Sequence, residues 1–400
     1  MAGITGLSTT FNMPNYHGEL MQITPDETPL LSAAGGIGGG KQATSTQFEW
    51  QETDLRKPGI RTRLEGADAP TAEARTRANK DNVVQIFHES VNTSYTKQAA
   101  VNQYAAVGNG DNPVQNEHAY QVDLSLKQIA RDVNYTLWHA QYAKPSDNST
   151  ARQTRGLLQA ITTNKLVADN SNPLTTGASA ATDTITVTHN LVADDKVVFT
   201  DVGASTAIEP HVAYWVKSNS TTASFKIAAT KGGAAITVGT ATVSFYGIKA
   251  ATVLTPDLVG NVLQSVYDNG GISDQGTATI FCNSGQKRAL TKAYAATGQG
   301  AQQLVGTRNV GGVSMDTVIT DFGTLNIALD RALPADAIAV VSLQYIDPVF
   351  LSIPGKGVLF EEELAKTGAS EKTQIYGEIG LSYGNEKAHG VLRGLFPTSY

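Results

Sequence analysis

The stretch Leu124-Ser-Leu-Lys-Gln-Ile-Ala-Arg-Asp-Val-Asn-Tyr-Thr-Leu137 carries the strongest helix signal in the chain. Its apolar residues recur at helical spacing and form one stripe, which comprises Leu126, Ile129, Ala130, Val133 and Leu137. Asp111 and Pro113 are typical of a helix start, and Pro145 ends the pattern. The spacing therefore predicts one long helix between Asp111 and Tyr142 that could reach ~25 residues, or ~38 Å at 1.5 Å per residue.

A second helix is predicted after residue 250, where Thr255 is a typical N-cap and Pro256 a typical first-turn residue. The pair Gly270-Gly271 ends it. A strand over 277–282, a helix capped by Ser284 and several turn-separated strands then follow. This order of elements predicts an α+β fold.

Between Ala168 and Ala250 the composition changes abruptly, because 21 of these 83 residues are Ser or Thr and Arg and Cys are absent. Short alternating runs recur there at roughly ten-residue spacing, which is typical of a small antiparallel β domain. The runs begin at Thr184, Lys196, Ala213, Ser224 and Thr242. We therefore predict an all-β domain, residues 168–250, inserted between two helices of the rest of the chain.

The first 45 residues are rich in Pro, Gly, Asn and Thr and offer only a brief apolar cluster. Such a segment cannot form a core by itself. It nevertheless carries Phe11, Leu30 and Leu31, which must be buried somewhere. We interpret residues 1–45 as an arm whose apolar side chains contact another subunit.

Two strand-like stretches, 46–51 and 82–87, predict a long hairpin. Between residues 52 and 81 lie seven basic and six acidic side chains, too dense a charge to bury against the same domain. The loop is therefore either solvated or a projection that forms ion pairs with a neighbouring subunit. The candidate contact residues are Arg56, Arg61, Arg63, Glu65, Arg75 and Arg77.

No sequence pattern indicates catalysis, a cofactor or a metal ion. Gly35 to Lys41 satisfies most of a phosphate-binding loop, but Gln42 follows where a magnesium-binding Ser or Thr is required. The seven histidines are scattered without paired spacing, and no nucleophile motif is present. The single cysteine, Cys282, lies in an apolar run typical of a buried strand. These observations predict a protein that is not an enzyme.

A net charge of −6 argues against tight nucleic-acid binding, and no apolar run approaches the ~20 residues that span a bilayer. We therefore expect no membrane partner and, at most, weak nonspecific contact with DNA.

The order of arm, charged hairpin, long helix, inserted β domain, second helix and β-rich C-terminus resembles the major capsid proteins of tailed bacteriophages, which have the HK97-type fold. Four segments look like those of one divergent capsid family: Thr28-Pro-Leu-Leu31, Phe48-Glu-Trp-Gln51, Glu65-Gly66 and Thr154-Arg-Gly-Leu157.

This resemblance implies a division of the chain into the regions of that fold. Residues 1–45 would be the N-terminal arm, 46–90 the extended E-loop, and 91–167 the P-domain with a spine helix at 114–143. Residues 168–250 would be an exterior insertion domain, 251–345 mainly the A-domain, and 346–400 a return to the P-domain.

The resemblance also implies the partners. Copies of the chain would form hexamers and pentamers of an icosahedral shell around a double-stranded DNA genome, assembled in the bacterial host cytoplasm. A scaffold, a portal and minor capsid or decoration proteins would be further partners. No motif pairs a lysine with an asparagine, so we predict no covalent crosslink.

Two other functions remain open at this point. One is an encapsulin-like compartment with the same fold that encloses cargo enzymes. The other is a phage tail or adhesin protein whose β domain binds glycans through Tyr214, Trp215 or Tyr246.

Overall fold

In the computed structural model, the described residues are 24–37, 40–53, 55–56, 58–71, 73–100, 116–168, 175–217, 223–249, 252–272, 278–296, 307–310, 313–366 and 368–396. They fall into two compact units. Unit 1 draws on Met1–Glu27, Ile86–Asp132 and Ile353–Gly377, and unit 2 on Thr28–Gln85, Val133–Ser352 and Glu378–Tyr400.

The helices of the described residues are α1 (Pro29–Ala33), α2 (Tyr95–Ala100), α3 (Glu117–His139), α4 (Leu157–Ala160), α5 (Pro256–Asp268) and α6 (Ser284–Ala296). The strands up to residue 248 are β1 (Lys41–Ala43), β2 (Gln47–Thr53), β3 (Arg77–Val83), β4 (Gln85–Ser94), β5 (Lys165–Val167), β6 (Thr175–Ala181), β7 (Thr184–Thr186), β8 (Lys196–Asp201), β9 (Ala213–Val216), β10 (Ser224–Phe225), β11 (Ile227–Ala228) and β12 (Ala241–Ile248). The later strands are β13 (Ala278–Cys282), β14 (Thr307–Val310), β15 (Val313–Thr320), β16 (Gly323–Leu329), β17 (Ile338–Ser342), β18 (Asp347–Leu351), β19 (Leu359–Glu363), β20 (Ser370–Ser382) and β21 (Gly390–Arg393).

The predicted long helix is α3, but it is shorter than expected at its C-terminal end. Ile129, Val133 and Leu137 of the predicted stripe are buried, as the spacing required. The helix ends at His139 rather than near Tyr142, because Ala143 leaves the helix to form an antiparallel bridge with Gln153. The predicted start at Asp111 lies outside the described residues.

Unit 1 contains β4, α2, β19 and the first part of β20. β19 pairs antiparallel with β20 from Leu359↔Gly377 to Glu363↔Thr373, and β4 also pairs with β20. His118 ties α3 to this sheet, because its two ring nitrogens lie 3.1 Å from Thr93 Oγ1 and 2.8 Å from Thr373 Oγ1.

The main core of unit 2 lies between a seven-stranded mixed sheet and α5. The strand order is β14-β15-β16-β13-β17-β21-β5. Thr255 caps α5 by accepting a 3.3 Å hydrogen bond from the Leu258 amide, and Gly270 follows the helix with φ +90°. The predictions of α5, β13 and α6 are thus confirmed.

A buried carboxylate joins three separate parts of unit 2. Asp330, which is 1% exposed, accepts hydrogen bonds from Trp138 Nε1 at 2.8 Å and from Asn134 Nδ2 at 3.2 and 3.3 Å. The Asn134 side chain in turn accepts a hydrogen bond from the Leu31 amide at 3.1 Å. The Asp330 amide donates to the carbonyl of Cys282, at the end of β13. This network holds α1, α3 and the central sheet together.

Residues 175–248 form a separate antiparallel sheet, as the composition change predicted, with the strand order β10-β7-β6-β12-β8-β9-β11. The two edge strands, β10 and β11, are consecutive in sequence with Lys226 between them. Ser224 and Phe225 pair with β7, whereas Ile227 and Ala228 pair with β9. One short stretch therefore pairs with both ends of the sheet and closes the described strands into a barrel.

The barrel has its own apolar core and also packs on the rest of unit 2. Its core includes Phe199, Phe225 and Phe245, all at most 1% exposed. A second, smaller cluster places Tyr246 with Val198 and Ile248 of the barrel and with the partly buried Val167 and Phe396 outside it. The prediction missed β6, whose sequence Thr-Thr-Gly-Ala-Ser-Ala-Ala lacks the alternation of larger apolar residues that marked the other strands.

We expect the Asp330→Ala substitution to lower the free energy of unfolding by about 2–4 kcal/mol, because it leaves the buried donors of Trp138 and Asn134 unsatisfied. Denaturant unfolding followed by tryptophan fluorescence measures the change. Asp321→Ala, at an exposed turn, is the control. An Asp330→Ala midpoint equal to that of the control would contradict this role.

Candidate inter-subunit surface

The predicted hairpin is present, with one change in its second strand. β2 and β3 pair antiparallel in continuous register from Gln47↔Val83 to Thr53↔Arg77. The second strand thus covers 77–83 rather than 82–87, and the residues from Gln85 onward form β4, which pairs with β20 instead. A loop of residues 54–76 connects the two strands, and we call this loop the hairpin tip.

Aromatic residues fix the base of the hairpin. Trp50 Nε1 donates a 2.9 Å hydrogen bond to the carbonyl of Gly384, and its ring meets that of Tyr383 edge-on at 4.9 Å. Phe48 lies over Gly380 of β20 so closely that a Cβ at this glycine would lie 2.9 Å from the phenyl ring. Gly380 is therefore the residue that allows the hairpin to pack on β20.

A buried asparagine reinforces the same base. Asn82 is 0% exposed; its Nδ2 donates to the carbonyl of Leu381 at 2.7 Å and its Oδ1 accepts from the amide of Arg155 at 2.8 Å. The Tyr142 hydroxyl donates to the Asp81 carboxylate at 2.5 Å. Burial, aided by this carboxylate, raises the pKa of Tyr142 to about 12. The hairpin, which belongs to unit 2, therefore has a firmly held base.

The charges of the hairpin tip pair largely with one another. The Glu73 carboxylate lies 2.9 Å from Arg75 Nη2, 3.5 Å from Arg61 Nη1 and 3.8 Å from Arg56 Nε. The hydrogen bond from Arg75, followed by that from Arg61, lowers the pKa of Glu73. Exposed pairs of this kind contribute little to stability.

The remaining predicted contact residues of the hairpin are also accessible. Arg77 donates from Nη1 to Gln51 Oε1 at 3.0 Å across the two strands. Arg63 and Glu65 lie exposed in the tip. That these six charged residues contact a neighbouring subunit stays a prediction. Three of them, Arg56, Arg61 and Arg75, already form ion pairs with Glu73 of the same loop.

Sequence reasoning missed the apolar residues of the tip. Leu55, Ile60 and Leu64 are 87%, 97% and 85% exposed. They stand at irregular spacing among charged residues, so no periodic pattern marked them as a face. Their presence in a loop that cannot bury them was the available signal. Three large aliphatic side chains so fully exposed on one projection are typical of an interaction site.

The arm prediction needs a correction at Leu30 and Leu31. These side chains are 0% and 2% exposed within the single chain, so they are already buried and do not present a surface to a neighbour. They belong to α1, which the Asn134 side chain holds through the Leu31 amide. Phe11 lies outside the described residues.

The glycine-rich segment before β1 has a packing role. A Cβ at Gly40 would lie 1.9 Å from the carbonyl oxygen of Pro348, so only glycine allows β1 to pair in parallel with β18. A strand, rather than the helix of a phosphate-binding loop, follows at Lys41.

Burial raises the pKa of the Cys282 thiol to about 12, which leaves it unreactive.

Within the described residues, no group of three His, Cys, Asp or Glu side chains could hold a metal ion. None of the helices in that part of the chain has the length and apolar character to cross a membrane.

The three aromatic residues considered for glycan stacking do not form a platform. Tyr214 and Tyr246 are buried, at 7% and 0% exposure. The Trp215 ring has the Lys196 ammonium 4.4 Å from its centroid and packs edge-on against Phe396. Trp215, which is partly buried, therefore already has part of its ring covered by Lys196 and Phe396.

Comparison with known proteins shows the family and the fold of the chain. A family model described as SU10 major capsid protein matches residues 3–396. The chain belongs to this family. No curated protein matches it. Membership gives this protein a structural role in a capsid shell.

Solved structures agree on the fold. The capsid asymmetric unit of cyanophage A-1(L) is 10% identical with a TM-score of 0.53, and the match covers 98% of this chain and 99% of that chain. The holo-SrpI encapsulin complex from Synechococcus elongatus PCC 7942 is 10% identical with a TM-score of 0.50, and the match covers 97% of this chain and 94% of that chain. The HK97-type fold is therefore confirmed.

We expect Asn82→Ala to loosen the base of the hairpin, because it removes hydrogen bonds to both Leu381 and Arg155. The substitution is expected to cost about 1–3 kcal/mol and to speed cleavage of the tip by trypsin, which can cut at its arginines. Asn79→Ala, an exposed position on the same strand, is the matched control. Equal cleavage rates for the two variants would show that Asn82 does not hold the hairpin.

Proposed function

We propose that this chain is the major capsid subunit of a tailed phage and that its copies form hexamers and pentamers of an icosahedral shell around double-stranded DNA. Family membership supports the capsid role. The proposed assembly contact rests on the exposure of Leu55, Ile60 and Leu64 in the hairpin tip. These apolar side chains lack a partner surface among the described residues.

A second copy of the chain is the partner that fits this tip. Burying a leucine or isoleucine side chain contributes about 1.5–3 kcal/mol, so three of them on each subunit supply a substantial part of a contact. The arginines grouped around Glu73 add charge at the rim, where they contribute more to the choice of partner than to affinity. Repetition of one such head-to-tail contact closes rings.

The regions of the chain follow the fold in this proposal. Residues 1–45 are the N-terminal arm, 46–90 the E-loop, 91–167 the P-domain with its spine helix, 251–345 mainly the A-domain and 346–400 the return to the P-domain. Residues 168–250 are an insertion domain on the shell exterior, and the closed barrel at 175–248 supports this because it has its own core.

The remaining partners are inferred from the capsid role. A scaffold, a portal and minor capsid or decoration proteins complete the particle, and assembly takes place in the bacterial host cytoplasm. The net charge of −6 supports weak, nonspecific contact with packaged DNA, because strong phosphate binding would require a basic surface. The family favours this reading over an encapsulin-like compartment.

We expect the triple variant Leu55→Ser, Ile60→Ser, Leu64→Ser to keep its fold and lose shell assembly, because it removes only exposed apolar groups. Circular dichroism measures folding, and sedimentation with negative-stain microscopy measures assembly. Val192→Ser with Val253→Ser removes exposed valines elsewhere, which are 60% and 59% exposed, and serves as the control. Normal shells from the triple variant would rule out the tip as the apolar contact.

Charge reversal tests the rim separately. We expect Arg61→Glu combined with Arg63→Glu to impair assembly while thermal unfolding of the subunit stays unchanged, because both side chains are exposed. Lys292→Glu, exposed on α6, is the control. If the double variant assembles normally, the charges of the hairpin are solvated and play no part in the contact.

A further inference from the structure

The barrel meets the rest of unit 2 through a buried polar junction. Asp336, 1% exposed, accepts a 2.5 Å hydrogen bond from the hydroxyl of Tyr246 on β12. Arg393, also 1% exposed, donates from Nη2 to the carbonyl of Leu158 at 2.7 Å. Its Nε and Nη1 have no hydrogen-bond partner among the described residues. The buried guanidinium of Arg393 therefore keeps two donor groups at this junction without a hydrogen-bond acceptor.

Two histidines face each other across the same junction. His139 ends α3, His211 precedes β9 of the barrel, and their ring centroids are 5.0 Å apart. Both are largely buried, at 9% and 7% exposure. The two rings therefore bring the end of the long helix into direct contact with the barrel.

The hydrogen bonds of His139 suit a neutral ring. Its Nε2 lies 2.5 Å from the carbonyl oxygen of Ala332 and therefore carries the proton. Its Nδ1 is buried without a partner in the described structure. A second proton would have to go on this Nδ1, where no acceptor is placed to receive it.

The hydrogen bonds of His211 also suit a neutral ring. The Gln141 side-chain nitrogen lies 3.2 Å from the carbonyl oxygen of Thr200 and 3.5 Å from His211 Nε2, so this amide group faces the ring as a donor. Protonation of His211 Nε2 would turn that contact into one between two donors. In both rings, the added proton meets no favourable partner.

The charged groups around the two rings are mainly cationic. Burial lowers the pKa of His211, and Arg393, His139 and Lys165 lower it further. Burial, with a smaller effect of Arg393, lowers the pKa of His139 to about 4, and the bond to Ala332 only partly opposes this. Burial also lowers the pKa of Lys165 to about 7.

Two acidic groups of the described residues lie near this junction, and neither contacts a histidine ring. Asp336 accepts the hydrogen bond from Tyr246, and its charge interacts with Arg393 and with Lys196. Glu209, in the same loop as His211, is exposed. Burial raises the pKa values of Tyr135 and Tyr214, and the charge of Glu209 is a smaller contribution in the same direction. Tyr135 stacks on His139 with ring centroids 4.2 Å apart.

We propose that His139 and His211 form an acid-responsive contact, and that their protonation releases the barrel from the rest of unit 2 and loosens β8 and β12, the barrel strands at the junction, while β13 stays paired in the central sheet. The contact carries no charge at neutral pH. Each added proton places a positive charge beside the other ring and near Arg393, without an acceptor. This inference concerns the single chain and does not depend on the proposed function.

The direction of the pH effect follows from proton binding. An opened junction exposes both rings to water, where the pKa of histidine is about 6.5. The opened form therefore binds more protons than the closed form below that pH, down to about 4 for His139. Over this window each pH unit raises the opened fraction by up to about tenfold per histidine. The closed junction is fully favoured at neutral pH and loses stability as the pH falls.

Hydrogen exchange of the full chain, expressed as protection factors at pH 7.5 and 4.5, tests the proposal. We expect protection at 196–201 and 241–248 to fall at least tenfold more on acidification than protection at 278–282. The double variant His139→Gln, His211→Gln removes both titrating rings, and we expect it to lose this selective response. His88→Gln, at an exposed histidine of unit 1, is the control and keeps the wild-type response.

Two results would overturn the proposal. One is wild-type protection that is unchanged at pH 4.5 or that falls equally at the barrel junction and at β13. The other is a double variant that is folded at pH 7.5 and keeps the selective response. If the double variant does not fold, the regional pattern in the wild-type chain decides the question alone.

Discussion

The buried carboxylate of Asp330 is the interaction on which the arrangement of unit 2 depends. Burial raises its pKa, and the hydrogen bonds from Trp138, Ala332 and Asn134 oppose that shift. A carboxylate in this setting is tolerated only while its donors stay in place. The end of α3, the short α1 and the central sheet are therefore held in one geometry, and the hairpin base and the barrel both attach to this fixed body.

From that body the chain presents two regions of opposite character. The base of the hairpin is tightly held through Trp50, Phe48 and Asn82, whereas its tip places aliphatic side chains in water. Because the base is fixed, less conformational entropy is lost when the tip forms a contact. Burial of the exposed apolar groups would then drive that contact.

Sequence reasoning predicted the elements whose apolar residues repeat regularly. The stripe of α3, the capped α5, the apolar β13 and the alternating strands of the barrel all follow from spacing. Barrel closure was not predictable, because it depends on two short strands on either side of Lys226 that pair with opposite ends of the sheet. The burial of Leu30 and Leu31 was not predictable either, since the same two leucines would suit a neighbour's surface or the chain's own core.

The buried polar residues could not be predicted from the sequence for a related reason. Asp330, Asp336, His139 and His211 come from distant parts of the sequence, and each reads locally as an ordinary turn or helix-end residue. Only the folded chain brings them together. Leu55, Ile60 and Leu64 lie in a loop without periodicity, so their importance follows from measured exposure rather than from pattern.

In the proposed assembly, the hairpin tip of one copy packs on a second copy in a closed shell. Electron cryomicroscopy of particles assembled from this chain tests it most directly, because it shows both the closure of the shell and the surroundings of residues 55–64. We predict closed polyhedral particles in which Leu55, Ile60 and Leu64 are buried against a neighbouring subunit. Closed particles whose hairpin tips extend into solvent, or a chain that forms no closed particle, would contradict it.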